Sequence, residues 1–310
     1  MHQSHLEKLL HKGEFVVTGE VTAPHGTDVE ILQERIRIIK DYCDAINVTD
    51  NPRGIPSLSN IACAHFVIKE GAEPVLQMTG RDRNRILFQS DLYGAYALGV
   101  RNVVFITGDT VLMGTQPLTK MVFDVDSTQA LDLTRLLMEG YDLGGEELVG
   151  SPNFFLGATF NPTAQPFEIQ ARRIQEKINN GAKFFQTQAI YELEPFAALM
   201  EDVREMETWT LAGIIPLRTS EMAETMNNKV PGIRVPEEMV SRLRDAEDGL
   251  EDEERELASR KVGLEIALET IEGVKRIDGV SGIHLMGIGW EESIPELVKN
   301  AGLAPRPNRG

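Results

Sequence analysis

The amino-acid sequence predicts an α/β protein with a single (β/α)₈, or TIM, barrel. Eight short runs rich in β-branched and aromatic residues recur along the chain of 310 residues, and helical stretches separate them. Strands that alternate with helices indicate βαβ units and a parallel sheet. Eight such units in a chain of this length fit one closed barrel.

The predicted strands are spaced along the whole chain. They are residues 15–21, 45–49, 74–79, 103–107, 154–159, 184–188, 211–216 and 282–287. The clearest helical patterns are residues 29–42, 84–98 and 167–180. Gly99 and Gly181 follow the last two of these helices, where glycine commonly ends a helix in a left-handed conformation. An open doubly wound sheet is the alternative, but the first strand is not followed by the glycine-rich fingerprint of that fold.

No change in composition divides the chain, so we expect one domain over residues 1–310, with residues 1–13 as an N-terminal extension. The strongest charge run, residues 244–256, lies in a long insertion between the seventh and eighth strands. Charge runs of this kind usually form solvated helices. A docking surface for a basic partner is the alternative.

Composition narrows the classes of partner. The net charge of −17 repels nucleic acid and anionic lipid, so neither is an expected partner. No signal-peptide pattern or apolar stretch of about 20 residues is present, which predicts a cytoplasmic protein without a membrane span. Cys43 and Cys63 do not form a CxxC pair, so we expect two buried thiols and no metal site.

Polar residues stand where the predicted strands end, which is where barrel enzymes carry their chemistry. Glu20 ends the first strand, Asp109 follows the fourth, and Gln188 ends the sixth. Two carboxylates could act as acid and base or bind a cation, and the amide suits a heterocycle. Each residue could also have a purely structural role. Glu20 could be a solvated residue at the rim of the barrel, Asp109 could cap the next helix or loop, and Gln188 could bind a neighbouring backbone group. Taken singly, these positions identify no reaction.

Taken together, several segments resemble the ordered motifs of methylenetetrahydrofolate reductases. The segments are residues 18–24, 48–49, 107–109, 181–188, 211–217, 230–236 and 279–285. The resemblance extends from about Gly13 to Pro305. It implies a (β/α)₈ barrel that holds a flavin at the strand ends. It also implies the reduction of 5,10-methylenetetrahydrofolate to 5-methyltetrahydrofolate by hydride transfer from flavin N5.

The resemblance also implies roles for individual residues. Glu20 would be the general acid that protonates the folate nitrogen N10. Asp109 would lie between pterin and flavin, and Gln188 would hydrogen-bond to the pterin. The implied flavin-contacting positions are Thr49, Gly108, Asp109 and Lys177, with Lys177 as a phosphate partner.

The sequence departs from the family pattern at four positions. Many family members carry arginine at Thr107 and histidine at Val75, an aromatic residue near Ser220, and arginine near Trp290. These departures change positions that would contact the edge of the flavin or stack on a nicotinamide, whereas the acid and the pterin-binding positions are retained. The resemblance therefore implies FAD, with FMN as the alternative. NADH, NADPH or an iron–sulfur partner subunit remains open as the electron donor, and we expect an oligomer or a hetero-complex.

Two other functions compete with the reductase. One is a non-catalytic flavin-binding or electron-relay subunit, which would need no acid at N10. The other is a barrel methyltransferase that acts on a methyl-folate and needs no flavin. The absorbance spectrum of the purified protein separates the methyltransferase from the two flavoproteins.

Overall fold

Eight parallel strands close into a barrel in the order in which they occur in the chain, and β8 pairs with β1. This computed structural model describes residues 3–230 and 232–307. The strands are β1 (Val16–Val21), β2 (Ala45–Val48), β3 (Pro74–Thr79), β4 (Asn102–Ile106), β5 (Phe155–Phe160), β6 (Phe184–Ala189), β7 (Trp209–Ile214) and β8 (Val280–Met286). The predicted (β/α)₈ barrel is confirmed. Residues 1–2 and 308–310 of the predicted domain, and Pro231 of the motif 230–236, lie outside the described residues.

Helices connect the strands and cover the outside of the barrel. They are α1 (His5–His11), α2 (Val29–Ile39), α3 (Asn60–Lys69), α4 (Arg85–Ala97), α5 (Ser127–Met138), α6 (Phe167–Asn179), α7 (Leu193–Val203), α8 (Ser220–Lys229), α9 (Glu237–Glu247), α10 (Asp252–Val274) and α11 (Ser293–Asn300). Asn84 caps α4 by accepting a hydrogen bond from Leu87 N. Gly99 and Gly181 have φ of 102° and 112°, as expected after a helix. None of the helices in the described part of the chain has the length and apolar composition needed to cross a bilayer.

Side chains inside the barrel are arranged in levels because alternate residues of a strand point to the same face. The lowest level, at the amino-terminal ends of the strands, is mostly apolar, and its polar exception is the buried Asn102, whose Nδ2 donates to Glu73 and to Pro74 O. Its apolar members are Val16, Ala45, Val75, Val104, Phe155, Phe184 and Leu211. The Phe155 and Phe184 rings stack with centroids 4.9 Å apart. Gly157 makes room for them, because a Cβ there would come within 2.5 Å of the Phe184 ring.

The N-terminal extension belongs to the barrel core. Ser4 caps α1, and Leu6, Leu9 and Leu10 are buried against the lowest level of the barrel. Glu73 accepts a hydrogen bond from Leu6 N at 2.8 Å and so ties the start of α1 to the chain just before β3. The helix therefore closes the amino-terminal end of the barrel.

The insertion between β7 and β8 contains α8, α9 and α10, and its charge run is mostly exposed, as predicted. The exception is Glu247, which is buried and accepts hydrogen bonds from Ser220 N, Ser220 Oγ and Ser259 Oγ. Arg255 Nη2 donates to the same carboxylate at 2.9 Å. Burial alone would raise the pKa of Glu247, but these hydrogen bonds outweigh it and lower the pKa to about 2. Glu247 thus joins three helices.

Both cysteines are buried, as predicted. Burial raises the pKa of the Cys63 thiol to about 12. Since the thiolate is the reactive form of cysteine, Cys63 is a packing residue rather than a nucleophile.

Candidate active site

A cavity of about 1150 Å³ opens at the carboxyl-terminal end of the barrel. All the predicted site residues line it, namely Glu20, Thr49, Gly108, Asp109, Lys177 and Gln188. Residues from distant parts of the sequence meet there because parallel strands all end on the same face of the barrel. The structure thus brings the whole predicted set together.

Glu20 points into the cavity from β1. Its Oε2 accepts a hydrogen bond from Gln77 Nε2 at 2.7 Å, and His284 Nε2 lies 3.7 Å from the same oxygen. Oε1 accepts a hydrogen bond from none of the described residues. The side chain is 13% exposed. One carboxyl oxygen is therefore held by the protein, and the other is available to a ligand.

A buried polar network lies directly below Glu20. Asn47 and Gln186 exchange two hydrogen bonds, from Asn47 Nδ2 to Gln186 Oε1 at 2.7 Å and from Gln186 Nε2 to Asn47 Oδ1 at 3.0 Å. Thr18 Oγ1 lies 3.0 Å from His284 Nδ1. These four residues were not among the site residues predicted from the sequence. The available signal was the two-residue period, which places Thr18 on the same face as Glu20 and Gln186 on the same face as Gln188.

Asp109 lies at the mouth of the cavity and is exposed. Its Oδ2 accepts a hydrogen bond from Arg53 N at 3.0 Å, so it holds the loop after β2 and caps no helix. Gly108 before it has φ of 97°, and a Cβ there would come within 3.0 Å of Arg81. Glycine therefore suits this position for both its conformation and its space.

Arg81 connects three loops around the cavity by hydrogen bonds. It was not among the site residues predicted from the sequence. It is buried, and its guanidinium donates to Asp109 O at 3.1 Å and to Asn51 O at 3.0 Å. It also forms two hydrogen bonds with the Asp82 carboxylate, which raises the pKa of Arg81. The loops after β2, β3 and β4 are thereby held together beneath Asp109.

Two basic side chains of α6, Arg173 and Lys177, line the cavity together with the carboxylates Asp126 and Glu176. Arg173 and Lys177 lie one helical turn apart. Lys177 Nζ donates to Thr159 O at 2.8 Å, and burial lowers the pKa of Lys177. The two basic groups could bind an anionic group of a ligand.

Among the described residues, the side chains of Thr49 and Gln188 each accept one hydrogen bond. Thr49 Oγ1 accepts from Ala23 N at 3.1 Å, and Gln188 Oε1 accepts from Ala189 N at 3.1 Å. The backbone contact considered for Gln188 therefore exists, but it uses only the carbonyl oxygen. Gln188 Nε2 donates to none of the described residues and remains available to a ligand.

Three of the four positions at which the sequence departs from the family pattern do not line the cavity. Val75 is in the lowest level of the barrel, Ser220 bonds to Glu247, and Trp290 is buried with Arg260 over its ring at 5.4 Å. Thr107 lines the cavity and is exposed. Among the described residues, no group of three or more histidine, cysteine or acidic side chains could hold a metal ion.

Taken as a whole, the cavity combines features suited to a large ligand. Ile106, Phe160 and Met286 add apolar surface to the polar residues already described. The volume slightly exceeds the roughly 300–1,000 Å³ typical of small-molecule sites. The arrangement can bind a heteroaromatic ring with an anionic group and can deliver a proton from one carboxyl group.

The fold resembles solved structures of low sequence identity. A protein from Clostridium thermocellum, described as uncharacterized and as binding two copies of 5-methyl-5,6,7,8-tetrahydrofolic acid, aligns with a TM-score of 0.65 and 16% identity. The alignment covers 96% of this chain and 99% of that one. DmoA from Hyphomicrobium sulfonivorans aligns with a TM-score of 0.54 and 10% identity over 96% of this chain and 90% of that one. At these identities the likeness shows the fold alone.

Sequence comparison identifies the protein family to which the chain belongs. A probable methylenetetrahydrofolate reductase (NADPH) of Caenorhabditis elegans is 28% identical over 251 residues, which cover 80% of this chain and 35% of that protein. Methylenetetrahydrofolate reductase 2 of Schizosaccharomyces pombe is 26% identical over 239 residues, or 74% of this chain and 35% of that protein. The chain thus spans about a third of the length of these relatives. The family model described as methylenetetrahydrofolate reductase matches residues 5–302, and the chain therefore belongs to the methylenetetrahydrofolate reductase family.

Proposed function

We propose that the protein catalyses the flavin-dependent reduction of 5,10-methylenetetrahydrofolate to 5-methyltetrahydrofolate, with Glu20 as the general acid. The observation that carries this proposal is the convergence of Glu20, Asp109 and Gln188 on one cavity. Family membership and the names of the relatives support the reaction. The folate described for the Clostridium thermocellum protein supports the class of substrate.

The residues of the cavity fit a flavin. Arg173 and Lys177 offer positive charge to phosphate groups, and Gly108 lines the cavity with its backbone. Thr49 and Asp109 would contact the ring edge. We propose FAD as the cofactor, with FMN as the alternative. The volume of about 1150 Å³ leaves space for a folate beside the flavin.

Glu20 would carry out the proton transfer through its ligand-facing oxygen. The proton moves from Oε1 to N10, and the bond between the methylene carbon and N10 breaks with its electron pair remaining on N10. An acid is needed because an amine leaves poorly unless it is protonated. The carbon is left as an electrophilic iminium at N5. When bound in its reduced form, the flavin supplies the hydride that converts this carbon to a methyl group.

Asp109 and Gln188 would support this step from the mouth of the cavity and from β6. The Asp109 carboxylate would stabilise the positive charge of the iminium, because preformed charges act strongly where a reacting group changes its charge. The Gln188 amide would donate to the pterin. The Gln77 hydrogen bond to Oε2 would turn the other Glu20 oxygen towards N10.

The choice of electron donor depends on whether the site offers an aromatic ring on which a nicotinamide can stack. Ser220 bonds to Glu247 and does not line the cavity, so this position supplies no aromatic ring to stack on a nicotinamide. An iron–sulfur partner subunit in a hetero-complex, NADH and NADPH are therefore all candidate donors. Reduction trials with both nucleotides distinguish these sources.

The proposal is tested on the purified protein in two stages. The absorbance spectrum and the identity of the released flavin establish the cofactor. The protein is then reduced without oxygen and mixed with methylenetetrahydrofolate, and reoxidation of the flavin is followed. We expect Glu20→Gln to abolish reoxidation while flavin binding is retained, and Glu254→Gln, an exposed change on α10, to behave like the wild type.

Two results would contradict the proposal. A protein that binds no flavin would exclude the cofactor, and normal reoxidation of Glu20→Gln would exclude the acid. A bound flavin without any folate turnover would instead indicate the electron-relay subunit.

A further inference from the structure

We propose that His284 is a positioning residue for Glu20, presenting an Nε2–H group to the carboxyl oxygen that does not face the ligand. The inference rests on the proposed role of Glu20 as an acid. The two residues lie on neighbouring strands, since β1 pairs with β8 and Thr18 is in register with His284. His284 is buried, and its Nε2 lies 3.7 Å from Glu20 Oε2.

The proposed tautomer of His284 is inferred from the network below Glu20. Asn47 and Gln186 orient each other through two hydrogen bonds. The remaining N–H of Gln186 Nε2 faces Thr18 Oγ1 at 3.2 Å and His284 Nδ1 at 3.3 Å, and the Thr18 hydroxyl lies 3.0 Å from Nδ1. A neutral imidazole has one donor and one acceptor nitrogen. The Thr18 hydroxyl can donate to Nδ1 at 3.0 Å or to Ile283 O at 3.4 Å, and the shorter distance favours Nδ1. Nδ1 would then accept, and the hydrogen would lie on Nε2.

The Nε2–H group then points at an oxygen whose charge changes during the reaction. When Glu20 passes its proton to N10, a buried carboxylate is formed. Hydrogen bonds to a charged acceptor are shorter and about twice as strong as those between neutral groups. The distance of 3.7 Å is too long for a hydrogen bond to the resting group, and a small approach on ionisation would form one. His284 would thus join Gln77 in stabilising the ionised acid.

In the part of the chain that the structure describes, no second basic group lies close enough to Glu20 to take this part. The titratable and charged residues that line the cavity besides Glu20 and His284 are Asp50, Arg81, Asp109, Asp126, Arg173, Glu176 and Lys177. Within the described residues, His284 is the one basic group within ion-pair distance of Glu20. A buried polar level also loses stability unless its groups are paired. Apolar side chains could fill the same space, so a role in supporting Glu20 explains why polar side chains occupy it.

The tautomer is measured first, because this readout does not depend on turnover. The complete protein is labelled with ¹³C,¹⁵N-histidine, and the His284 ring signals are assigned in the wild type through their bonds to the His284 backbone. We expect the proton on Nε2 and an unprotonated Nδ1. A proton on Nδ1 would overturn the proposal, even if the variants below did not fold.

A matched pair of substitutions then tests the contact. A glutamine amide at position 284 reaches the place of Nε2, whereas an asparagine amide reaches only that of Nδ1, and neither takes up a proton. For flavin reoxidation by methylenetetrahydrofolate, we expect His284→Asn to lower the maximal rate about 10- to 100-fold and His284→Gln less than about 5-fold. The folate concentration at half-maximal rate and the flavin affinity should change little in both.

The outcomes separate this inference from the proposed function. Equal losses in both variants, or a wild-type rate in His284→Asn, would overturn the positioning role. If Glu20→Gln loses reoxidation while the His284 variants do not, only this inference fails. If the wild type itself does not react with the folate, the proposed function fails, and the tautomer measurement still decides the geometry.

Discussion

The lower and upper halves of the barrel interior differ sharply although the same strands build both. On β6, Phe184 is part of the apolar lowest level, Gln186 belongs to the buried network, and Gln188 lines the cavity. On β1, Val16 and Glu20 show the same change from apolar to acidic. Each strand therefore divides its length between stability at the amino-terminal end and chemistry at the carboxyl-terminal end, as is general in this fold.

The two halves are also held together by different forces. The lower half is packed by apolar contacts, including three leucines of α1. The upper half depends on hydrogen bonds and ion pairs, such as those by which Arg81 joins three loops. In the insertion outside the strands, Glu247 joins α9 to α8 and α10 in the same way. Substitutions in the lower half should change stability without changing the site, and substitutions of ligand-facing residues in the upper half should mostly do the reverse.

The largest effect on stability should come from Phe184→Ala. The side chain is fully buried and stacked on Phe155, and such truncations cost about 3–5 kcal/mol because they leave a cavity. Urea denaturation measures the loss, and flavin affinity should remain that of the wild type. Gln188→Ala, on the same strand but at the cavity, should cost less than about 1 kcal/mol. Equal losses would contradict the division between the halves.

Glu247→Gln should destabilise the protein in a pH-dependent way. The pKa of Glu247 is lowered from 4.5 to about 2 in the folded protein. A lowered pKa means that the carboxylate stabilises the fold above the unfolded pKa and that this contribution is lost as pH falls from about 5 towards 2. At neutral pH the shift corresponds to about 3 kcal/mol.

Denaturation at several pH values tests this prediction. The difference between wild type and Glu247→Gln should stay constant from pH 7 to about 5 and should shrink as the pH is lowered from about 5 towards 2. Glu251→Gln lies in the same charge run and is exposed, so it serves as the matched control and should show no such difference. A difference that also stays constant below about pH 5 would show that the charge of Glu247 is not the stabilising feature.

Gln188→Leu should weaken folate binding rather than the chemical step. Loss of one hydrogen bond of about 1–1.5 kcal/mol to the pterin corresponds to a KM for the folate that is about 10-fold higher. Steady-state or half-reaction kinetics measure this, and kcat should change much less. Gln175→Leu, an exposed change on α6, is the control. A fall in kcat at unchanged KM would assign Gln188 to the reaction instead of to binding.

The smallest effect should be that of Lys177→Met on flavin affinity. Removing one partly buried positive charge from a phosphate site should raise the Kd of the flavin about 5-fold at low ionic strength. The difference should decrease as salt is added, since salt screens the attraction. Titration of the flavin-free protein measures it. Lys183→Met, exposed and outside the cavity lining, should leave the Kd unchanged, and an equal effect in both would remove Lys177 from the site.

Much of the fold and of the candidate site could be predicted from the sequence. Each of the eight strands lies within a few residues of its predicted position, because β-rich runs bounded by turn residues are a local signal. Glu20, Asp109 and Gln188 could be grouped because strand ends share one face. The loop contacts of Arg81 could not be predicted, since they depend on how three loops fold over one another.

Two further features could not be predicted from local patterns, one in the N-terminal extension and one in the insertion between β7 and β8. Residues 1–13 contain three leucines that local pattern alone did not distinguish from an exposed helix face, and only the open end of the barrel gives them a place to pack. In the charge run, no local signal separates Glu247 from its exposed neighbours. Its burial follows from the approach of Ser220 and Ser259 from two other helices.

The order of strands and helices, the family and the residues at the strand ends were thus encoded locally, in short patterns that neighbouring residues carry. Contacts between residues distant in the sequence were determined only by closure of the barrel. Closure brings His284 against Thr18, 266 positions away in the chain, and so places an imidazole beneath Glu20. Local patterns cannot specify such a contact, because it exists only when the last strand pairs with the first.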